Sequence, residues 1–240
     1  MSRSRPRRPR PALPPAVLAA AWQSASLLLD YPDEPLLDRL ALIRSEVERL
    51  PAHVGSPLRG LVTHLESTPL PALQADYVET FDDRRRCNLF LTYFAHGDTR
   101  KRGLALLRFK QTYLRSGCQL DDSELPDHLC VVLEYAATVD PQRGRDLLLD
   151  HRAGLEVLRL SLHDVGSPWA AAVDAVTATL PALRGGEQDA VRRLVIAGPP
   201  EEEVGLAPFA TPEFSPGLDT PGGSGGPTLL PTPTFRGARA

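Results

Sequence analysis

The sequence predicts an all-α protein, a single-domain bundle of about ten helices. Leu and Ala dominate the apolar residues, and aromatic residues make up only 6% of the chain, a composition that suits helices packed against helices. Many of the 24 prolines stand where a helix could begin, because the first helical turn tolerates a residue without an N–H. Apolar residues also recur every three or four positions over long stretches, and we identify no convincing paired strand.

Composition divides the chain into three segments. Residues 1–13 are rich in Arg and Pro, and residues 199–240 contain a long Pro/Gly-rich stretch. Segments of this kind bury too little apolar surface to offset the conformational entropy of folding. We therefore expect a disordered basic arm, a helical domain over residues 14–198, and a disordered tail.

Prolines and capping residues mark the helices in the first half of this domain. Tyr31 precedes a proline, which favours extended backbone and ends the first helix, whereas Asp33 can cap the second. Gly97 and Gly117 suit the C-terminal ends of two later helices. We expect His64 on the surface of the third helix. The helices predicted up to the centre of the chain are residues 14–29, 33–50, 57–66, 69–81, 87–96 and 100–116.

The second half of the domain shows the same signals. Pro126 and Pro141 can each stand in a first helical turn, and the Gly-Gly pair at 185–186 separates a last short helix. The helices predicted there are residues 126–138, 140–162 with a possible break at 152–154, 169–183 and 187–197.

Charge is unevenly distributed along the chain. The formal net charge is −3, but five arginines lie within the first ten residues, so the other 230 residues carry −8. An acidic body is a poor surface for nucleic acid, and we expect no nucleic-acid partner for it. The basic arm leaves open a helical adaptor that touches RNA or an anionic membrane surface.

Cysteine usage and hydropathy indicate the compartment. The three cysteines are odd in number and lack C-x-x-C spacing, which fits a reducing cytoplasm. No run of 18 or more apolar residues is present, so we expect no stable insertion into a membrane. Arg7-Arg8 raises the alternative of a twin-arginine export signal, but Gln23 interrupts the apolar stretch and DYPDE follows where a small-residue cleavage site should stand.

The motifs of common enzymes do not occur in this sequence. The six histidines show no H-E-x-x-H and no i, i+4 pair, and no cysteine stands at ligand spacing from them. Glycine-rich phosphate loops and the G-x-S-x-G nucleophile elbow are also missing. We therefore predict no catalytic residue, no metal site and no cofactor.

Residues 75–136 form the densest block of aromatic side chains, with four of the seven phenylalanines. Aromatic residues at helical spacing usually belong to a buried core, but some could line a groove for an amphipathic helix of a partner. Both interpretations remain open on composition alone. The apolar residues that recur at helical spacing are Tyr77, Phe81, Leu89, Phe90, Tyr93, Phe94, Leu104, Leu107 and Leu114.

Four motifs in and before this block resemble one family. They are ASLLLDYPDEPL at 25–36, YVETFD at 77–82, HGDTRKRGLALL at 96–107 and ELPDHLCVVLEY at 124–135. In this order they resemble the assembly chaperones of respiratory nitrate reductase, the NarJ or delta-subunit family, which belongs to the wider NarJ/TorD group. The resemblance extends over roughly residues 16–180.

Two elements that mark the wider group can be matched residue by residue. The segment from Tyr77 to Phe81 is similar to its Tyr-x-x-Leu-Phe element, except that Thr80 stands in the Leu position. The second element, Glu-Pro-Asp-His, is matched by Glu124, Pro126, Asp127 and His128. The arm and the tail have no counterpart that we can assign.

The resemblance implies a cytoplasmic, non-catalytic helical chaperone that is a monomer or a weak dimer. Its partner would be the catalytic (alpha) subunit of nitrate reductase, bound through its N-terminal segment while the molybdenum cofactor is inserted. Such a chaperone is not part of the finished enzyme. A chaperone for another molybdoenzyme, of the dimethyl sulfoxide or trimethylamine oxide reductase type, remains an alternative.

The same resemblance suggests where the client peptide binds. Aromatic walls would bury the apolar face of a short client helix, and acidic rims would attract its basic flanks. Asp127 and His128 are expected at the mouth of this site, without a catalytic role. The predicted client-binding residues are Tyr77, Phe81, Asp82, Phe90, Tyr93, His96, Glu124, Pro126, Asp127, His128 and Glu134.

Overall fold

The computed structural model describes residues 12–121 and 124–198, all of which lie in one compact unit, Met1–Glu202. Within those two ranges the chain forms eleven α-helices and one 3₁₀ turn, and the only β pairing is an isolated bridge. The all-α prediction is therefore confirmed. The predicted tail and all but the last two residues of the predicted arm lie outside the described residues.

Most helices follow one another with short connections, and the longest connections lie between α4 and α5 and between α6 and α7. They are α1 (Pro15–Leu28), α2 (Glu34–Glu48), α3 (Ala52–Ser67), α4 (Leu70–Phe81), α5 (Tyr93–His96), α6 (Arg100–Arg115), α7 (Leu129–Thr138), α8 (Pro141–Asp150), α9 (Arg152–Asp164), α10 (Ala170–Thr179) and α11 (Gly185–Ala197), with the 3₁₀ turn at Arg85–Cys87 between α4 and α5. In the part of the chain that the structure describes, no helix is both long and apolar enough to cross a membrane.

Local signals set most of the helix ends. The Asp33 carboxylate accepts a hydrogen bond of 2.8 Å from the Leu36 N–H at the start of α2, and Asp140 accepts one of 3.0 Å from the Arg143 N–H at the start of α8. Such side-chain caps satisfy N–H groups that have no partner within the helix. The possible break near residue 152 is confirmed, because α8 ends at Asp150 and α9 begins two residues later.

Helix α1 lies at the centre of the bundle, against α2, α3, α7 and α10. The fully buried Trp22 indole donates a hydrogen bond of 2.9 Å to the Thr179 hydroxyl and so ties α1 to the end of α10. On another side, the Ser26 hydroxyl donates to the Cys130 carbonyl of α7 at 2.8 Å. The core therefore fixes the C-terminal end of α1 relative to α7.

The third helix begins five residues earlier than predicted. The Pro51 carbonyl accepts the N–H groups of Val54 and Gly55 at 2.9 Å each, and Pro57 lies within the helix. This first turn packs closely on α2, because a Cβ at Gly55 would come within 2.7 Å of the Val47 carbonyl oxygen. The surface position predicted for His64 is also wrong, since its ring is half-buried beside that of Trp169.

The predicted helix over residues 87–96 is wrong for most of its length. Its first half is extended and pairs with residues 127–129: the Leu91 N–H donates to the Asp127 carbonyl at 3.0 Å, and the Leu129 N–H donates to the Leu89 carbonyl at 2.9 Å. Hydrogen bonds to a distant segment thus replace those of a helix. The same pairing delays the start of α7 from the predicted Pro126 to Leu129.

One further helix ends earlier than predicted, and another buries only part of its apolar pattern. The helix predicted over 169–183 ends at Thr179, because Leu180 precedes a proline and is extended. Helix α6 begins at the predicted Arg100 and ends at Arg115, one residue before the predicted end, but only some of its apolar residues face the core. Its buried residues are Ala105, Phe109 and Tyr113, whereas Leu104, Leu107 and Leu114 are exposed.

We predict that Gly144→Ala destabilises the fold. A Cβ at this position of α8 would come within 2.5 Å of the Ala136 Cα on α7, so the two helices would have to separate. Overpacking of this kind costs about 1–3 kcal/mol, which urea denaturation would measure as a lower free energy of unfolding.

Gly60→Ala is the matched control, because a Cβ there meets no atom within 4 Å. In a helix interior it should leave stability unchanged or raise it by up to about 1 kcal/mol. Equal effects of the two substitutions would contradict the close packing of α7 on α8.

Candidate functional site

The ELPDHL segment leads into α7 and contains a carboxylate that is fully buried. Asp127 has 0% exposure, and its Oδ2 accepts hydrogen bonds from the Thr92 N–H at 3.1 Å and from the Thr92 hydroxyl. Thr92 is the residue from which α5 begins, so Asp127 anchors that short helix. Among the described residues, Asp127 Oδ1 has no hydrogen-bond partner.

Arg102 of α6 supplies the positive charge nearest to this carboxylate. Its Nη2 lies 3.9 Å from Asp127 Oδ2, its Nε donates to the Thr92 hydroxyl at 3.3 Å, and its Nη1 pairs with Asp98 at 3.1 Å. The guanidinium also lies over the rings of Phe90 and Tyr93, with centroid distances of 5.2 and 5.9 Å. A buried charge requires such pairing to be tolerated, so the Asp127–Thr92–Arg102 network forms one unit.

The backbone pairing places Phe90 directly beside His128. Their rings meet edge to face at 5.2 Å, and both side chains are half-buried. Burial lowers the pKa of His128, and the nearby Asp30 and Asp127 oppose that shift. His128 therefore presents mainly a neutral imidazole near pH 7.

Helix α6 is hydrogen-bonded to Pro126 of the ELPDHL segment. The buried Tyr113 hydroxyl donates a hydrogen bond of 2.6 Å to the Pro126 carbonyl, and its ring packs on that of Tyr135 with centroids 4.5 Å apart. Pro126 and Asp127 are thus fixed from two sides, by Tyr113 and by Thr92. Of the two residues expected at the mouth of the site, Asp127 is fully buried and supports its neighbours, whereas His128 is half-buried.

Carboxylates gather on the outer side of this support. Burial raises the pKa of Glu124, and the charges of Asp30, Asp121 and Glu134 raise it further. Such mutual effects require the four groups to lie near one another. All four are exposed, and we call Asp30, Asp121, Glu124 and Glu134 the acidic patch.

Asp30, which follows α1, links the two sequence elements that mark the family resemblance. Burial raises the pKa of Cys130 and of Tyr77, and Asp30 contributes to both shifts. The Tyr77 hydroxyl donates to the Leu29 carbonyl at 3.0 Å. The Tyr-x-x-x-Phe element on α4 and the start of α7 therefore meet at the end of α1.

Tyr77 and Phe81 belong to the core. Both are 7% exposed, and their rings lie 5.5 and 5.8 Å from the buried Trp169 ring. Tyr31 packs edge-on against Tyr77 at 5.4 Å and is 44% exposed. Of this aromatic group, Tyr31 offers the accessible surface.

The predicted site residues thus fall into two layers. The inner layer is buried and comprises Tyr77, Phe81, Tyr93, Pro126 and Asp127. The outer layer is half-buried or exposed and comprises Asp82, Phe90, His96, Glu124, His128 and Glu134.

Sequence reasoning missed Asp30, Thr92 and Arg102 as parts of this region. Asp30 and Arg102 lie inside two of the motifs that carry the resemblance, and that was the available signal. No signal in the sequence pointed to Thr92, because its role depends on a hydrogen bond to a residue 35 positions away. In the described ranges, no three His, Cys, Asp or Glu side chains are grouped so that they could hold a metal ion.

The family model described as "Nitrate reductase delta subunit" matches residues 47–175 of the chain. The nitrate reductase molybdenum cofactor assembly chaperone NarJ of Escherichia coli is 33% identical over 156 residues, which cover 62% of this chain and 64% of NarJ. NarJ of Bacillus subtilis is 32% identical over 163 residues, which cover 66% of this chain and 87% of that protein.

Two further matches differ in extent. The nitrate reductase-like protein NarX of Mycobacterium tuberculosis is 42% identical over 163 residues, and this chain spans only 24% of its length. A crystal structure titled as a redox enzyme maturation protein from Archaeoglobus fulgidus aligns with a TM-score of 0.50 and 25% identity, over 66% of this chain and 90% of that one.

We predict that Asp127→Ala lowers stability, because it removes the acceptor of two buried Thr92 donors and leaves Arg102 without its buried counter-charge. Leaving buried donors unsatisfied costs about 1–3 kcal/mol, and more when charges are involved. Urea denaturation monitors the loss. Glu134→Gln, an exposed acid of the same region, should change the free energy of unfolding by less than about 0.5 kcal/mol; comparable losses for the two variants would contradict the role given to Asp127.

Acidification should destabilise the protein between pH 7.5 and pH 5.5. Burial lowers the pKa of both His128 and His151, so below about 6.5, the usual histidine value, the unfolded chain binds more protons than the folded one. The stability present above that pH is then lost as the pH falls towards the folded-state values.

Denaturation curves at the two pH values measure this loss. His128→Asn should reduce the difference between them, because it removes one of the two buried imidazoles. Stability that rises on acidification in this range would show that the two imidazoles are not buried in their neutral forms.

Proposed function

Because the chain belongs to the nitrate reductase delta subunit family, we propose that it is an assembly chaperone for a respiratory nitrate reductase. It binds the apo form of the catalytic subunit, keeps it open while the molybdenum cofactor is inserted, and is not part of the finished enzyme. The match to 87% of the length of Bacillus subtilis NarJ carries this proposal. It acts in the cytoplasm, without catalysis, as a monomer or weak dimer.

The acidic patch is the proposed surface for the client. It combines four carboxylates with two apolar side chains next to them in sequence, Tyr31 and Leu125, which are 44% and 42% exposed. Such a surface suits the N-terminal segment of the catalytic subunit if that segment has apolar residues flanked by basic ones. Phe90 and His128 extend this surface next to Asp30, and the proposal also includes Asp82 and His96 as the remaining outer residues of the site.

The inner layer supports this surface and does not touch the client in the form described here. Asp127 fixes α5 through Thr92, and Tyr77 fixes the end of α1 through the Leu29 carbonyl. Both are positioning residues in this proposal. The client then meets a surface that is already in place, which lowers the entropy cost of binding.

The expected affinity is moderate. Burying two or three large apolar side chains contributes about 1.5–3 kcal/mol each, and association costs remove much of that sum. The binding should therefore be no tighter than the micromolar range, which corresponds to about −8 kcal/mol. A chaperone needs such affinity, because it must hold the client and later release it.

The proposal predicts that neutralising the acidic patch weakens client binding. A fluorescent peptide of the catalytic subunit's N-terminal segment would be titrated with the protein, and anisotropy would report binding. The triple variant Asp30→Asn, Glu124→Gln, Glu134→Gln should bind about 10-fold more weakly, because each lost charge pair contributes about 0.2–1 kcal/mol at an exposed site. The matched control, Asp38→Asn, Glu48→Gln, Asp164→Asn, removes the same charge at exposed positions elsewhere and should stay within about 2-fold of the unsubstituted protein.

Equal binding by the two triple variants would refute the patch as the client surface. A separate measurement tests the function itself: the molybdenum content of nitrate reductase from a strain that lacks this protein. Full cofactor loading in that strain would overturn the proposed function. Peptides from dimethyl sulfoxide and trimethylamine oxide reductases serve as competitors and would identify another client if they bound more tightly.

A further inference from the structure

Helix α6 presents apolar side chains to solvent along its length. Leu104, Leu107 and Leu114 are 66%, 53% and 58% exposed, although leucines of a surface helix normally face the core. We call these three residues the outer leucine face. Its orientation is fixed, because the opposite side of α6 is buried through Phe109 and Tyr113 and the Tyr113 hydroxyl is bonded to the Pro126 carbonyl.

The outer leucine face is surrounded by basic residues. Successive residues of an α-helix are about 100° apart, so the three leucines fall within an arc of about 80°. The same geometry places Lys101, Arg108 and Arg115 along one edge of that arc and Lys110 along the other. The helix contains six basic residues and no acidic one, and the four flanking residues are exposed.

A second copy of the chain is a poor occupant for this face. Two such helices in contact would bring their basic flanks together, and like charges at close range oppose association. Three leucines also provide little of the roughly 800 Å² per partner that a stable protein interface buries. The face therefore needs an occupant that accepts a shallow apolar strip and neutralises positive charge.

A bilayer with anionic headgroups meets both requirements. Amphipathic helices with leucines on one face and Lys or Arg at its edges lie in the headgroup region with the apolar side chains inserted, and each basic residue near the surface adds electrostatic attraction. We propose that α6 docks this protein reversibly on anionic membrane surfaces through the outer leucine face. This binding is independent of the client surface and does not rest on the chaperone function.

Vesicle co-sedimentation with the full-length protein tests the proposal. Vesicles of phosphatidylcholine alone are compared with vesicles that also contain about 30% phosphatidylglycerol, which supply the negative surface potential. Binding should be at least about 10-fold stronger to the anionic vesicles and should fall when the ionic strength rises from about 0.05 to 0.5 M, because salt screens surface charge.

Substitutions locate the contact. The triple variant Leu104→Gln, Leu107→Gln, Leu114→Gln should have a partition coefficient for anionic vesicles that is at least about 10-fold lower, since its side chains no longer insert into the apolar region. Three exposed apolar residues on other helices or their ends, Leu42, Leu160 and Val165, are changed to Gln as the control, which should retain binding within about 2-fold. Circular dichroism confirms that both triple variants remain folded.

Four results would overturn the proposal. The first is equal binding to neutral and anionic vesicles, and the second is full binding by the α6 variant. The third is loss of binding only when the five arginines at positions 3–10 are changed to Gln, which would show that the arm binds the membrane. The fourth is a dimer, seen by light scattering, that the α6 substitutions dissociate while vesicle binding is absent, since the face would then join two copies of the chain.

Discussion

The buried carboxylate of Asp127 is the interaction on which the candidate site depends. Its hydrogen bonds to Thr92 join two irregular segments of the chain. Backbone hydrogen bonds between residues 89–91 and residues 127–129 join the same two segments. A buried charge without such partners would be strongly unfavourable. The positions of α5, of the first turn of α7 and of the Phe90–His128 contact therefore all follow from one carboxylate and the donors around it.

Most of the fold was predictable from the sequence, because prolines, caps and glycines act locally. The largest failures share one cause, which is contact with residues distant in sequence, whereas the early end of the helix predicted over 169–183 is set locally by the proline after Leu180. Residues 87–96 contain a helical pattern, but their hydrogen bonds go to the segment around Asp127. The leucines of α6 have helical spacing as well, yet periodicity alone does not tell which face of a helix meets the core; Phe109 and Tyr113 occupy that face.

The sequence motifs pointed to the region of the candidate site, but not to Asp30, Thr92 or Arg102, and not to which of its residues are buried. The motif residues gather around the end of α1, but the most distinctive of them, Asp127, points inward and supports its neighbours. Asp30 connects the α4 and α7 elements through its charge, and only the fold could show this. The proposed client surface therefore consists of exposed acidic residues above a buried support.

Amide hydrogen exchange at Thr92 tests most directly whether Asp127 holds the site together. We expect this amide to exchange slowly in the unsubstituted protein, because its N–H is bonded to a fully buried carboxylate. In Asp127→Ala, exchange should accelerate at Thr92, Leu91 and Leu129, while the amides of α10 keep their protection. An amide at Thr92 that exchanges as rapidly as those of exposed loops in the unsubstituted protein would show that Asp127 does not hold the site together.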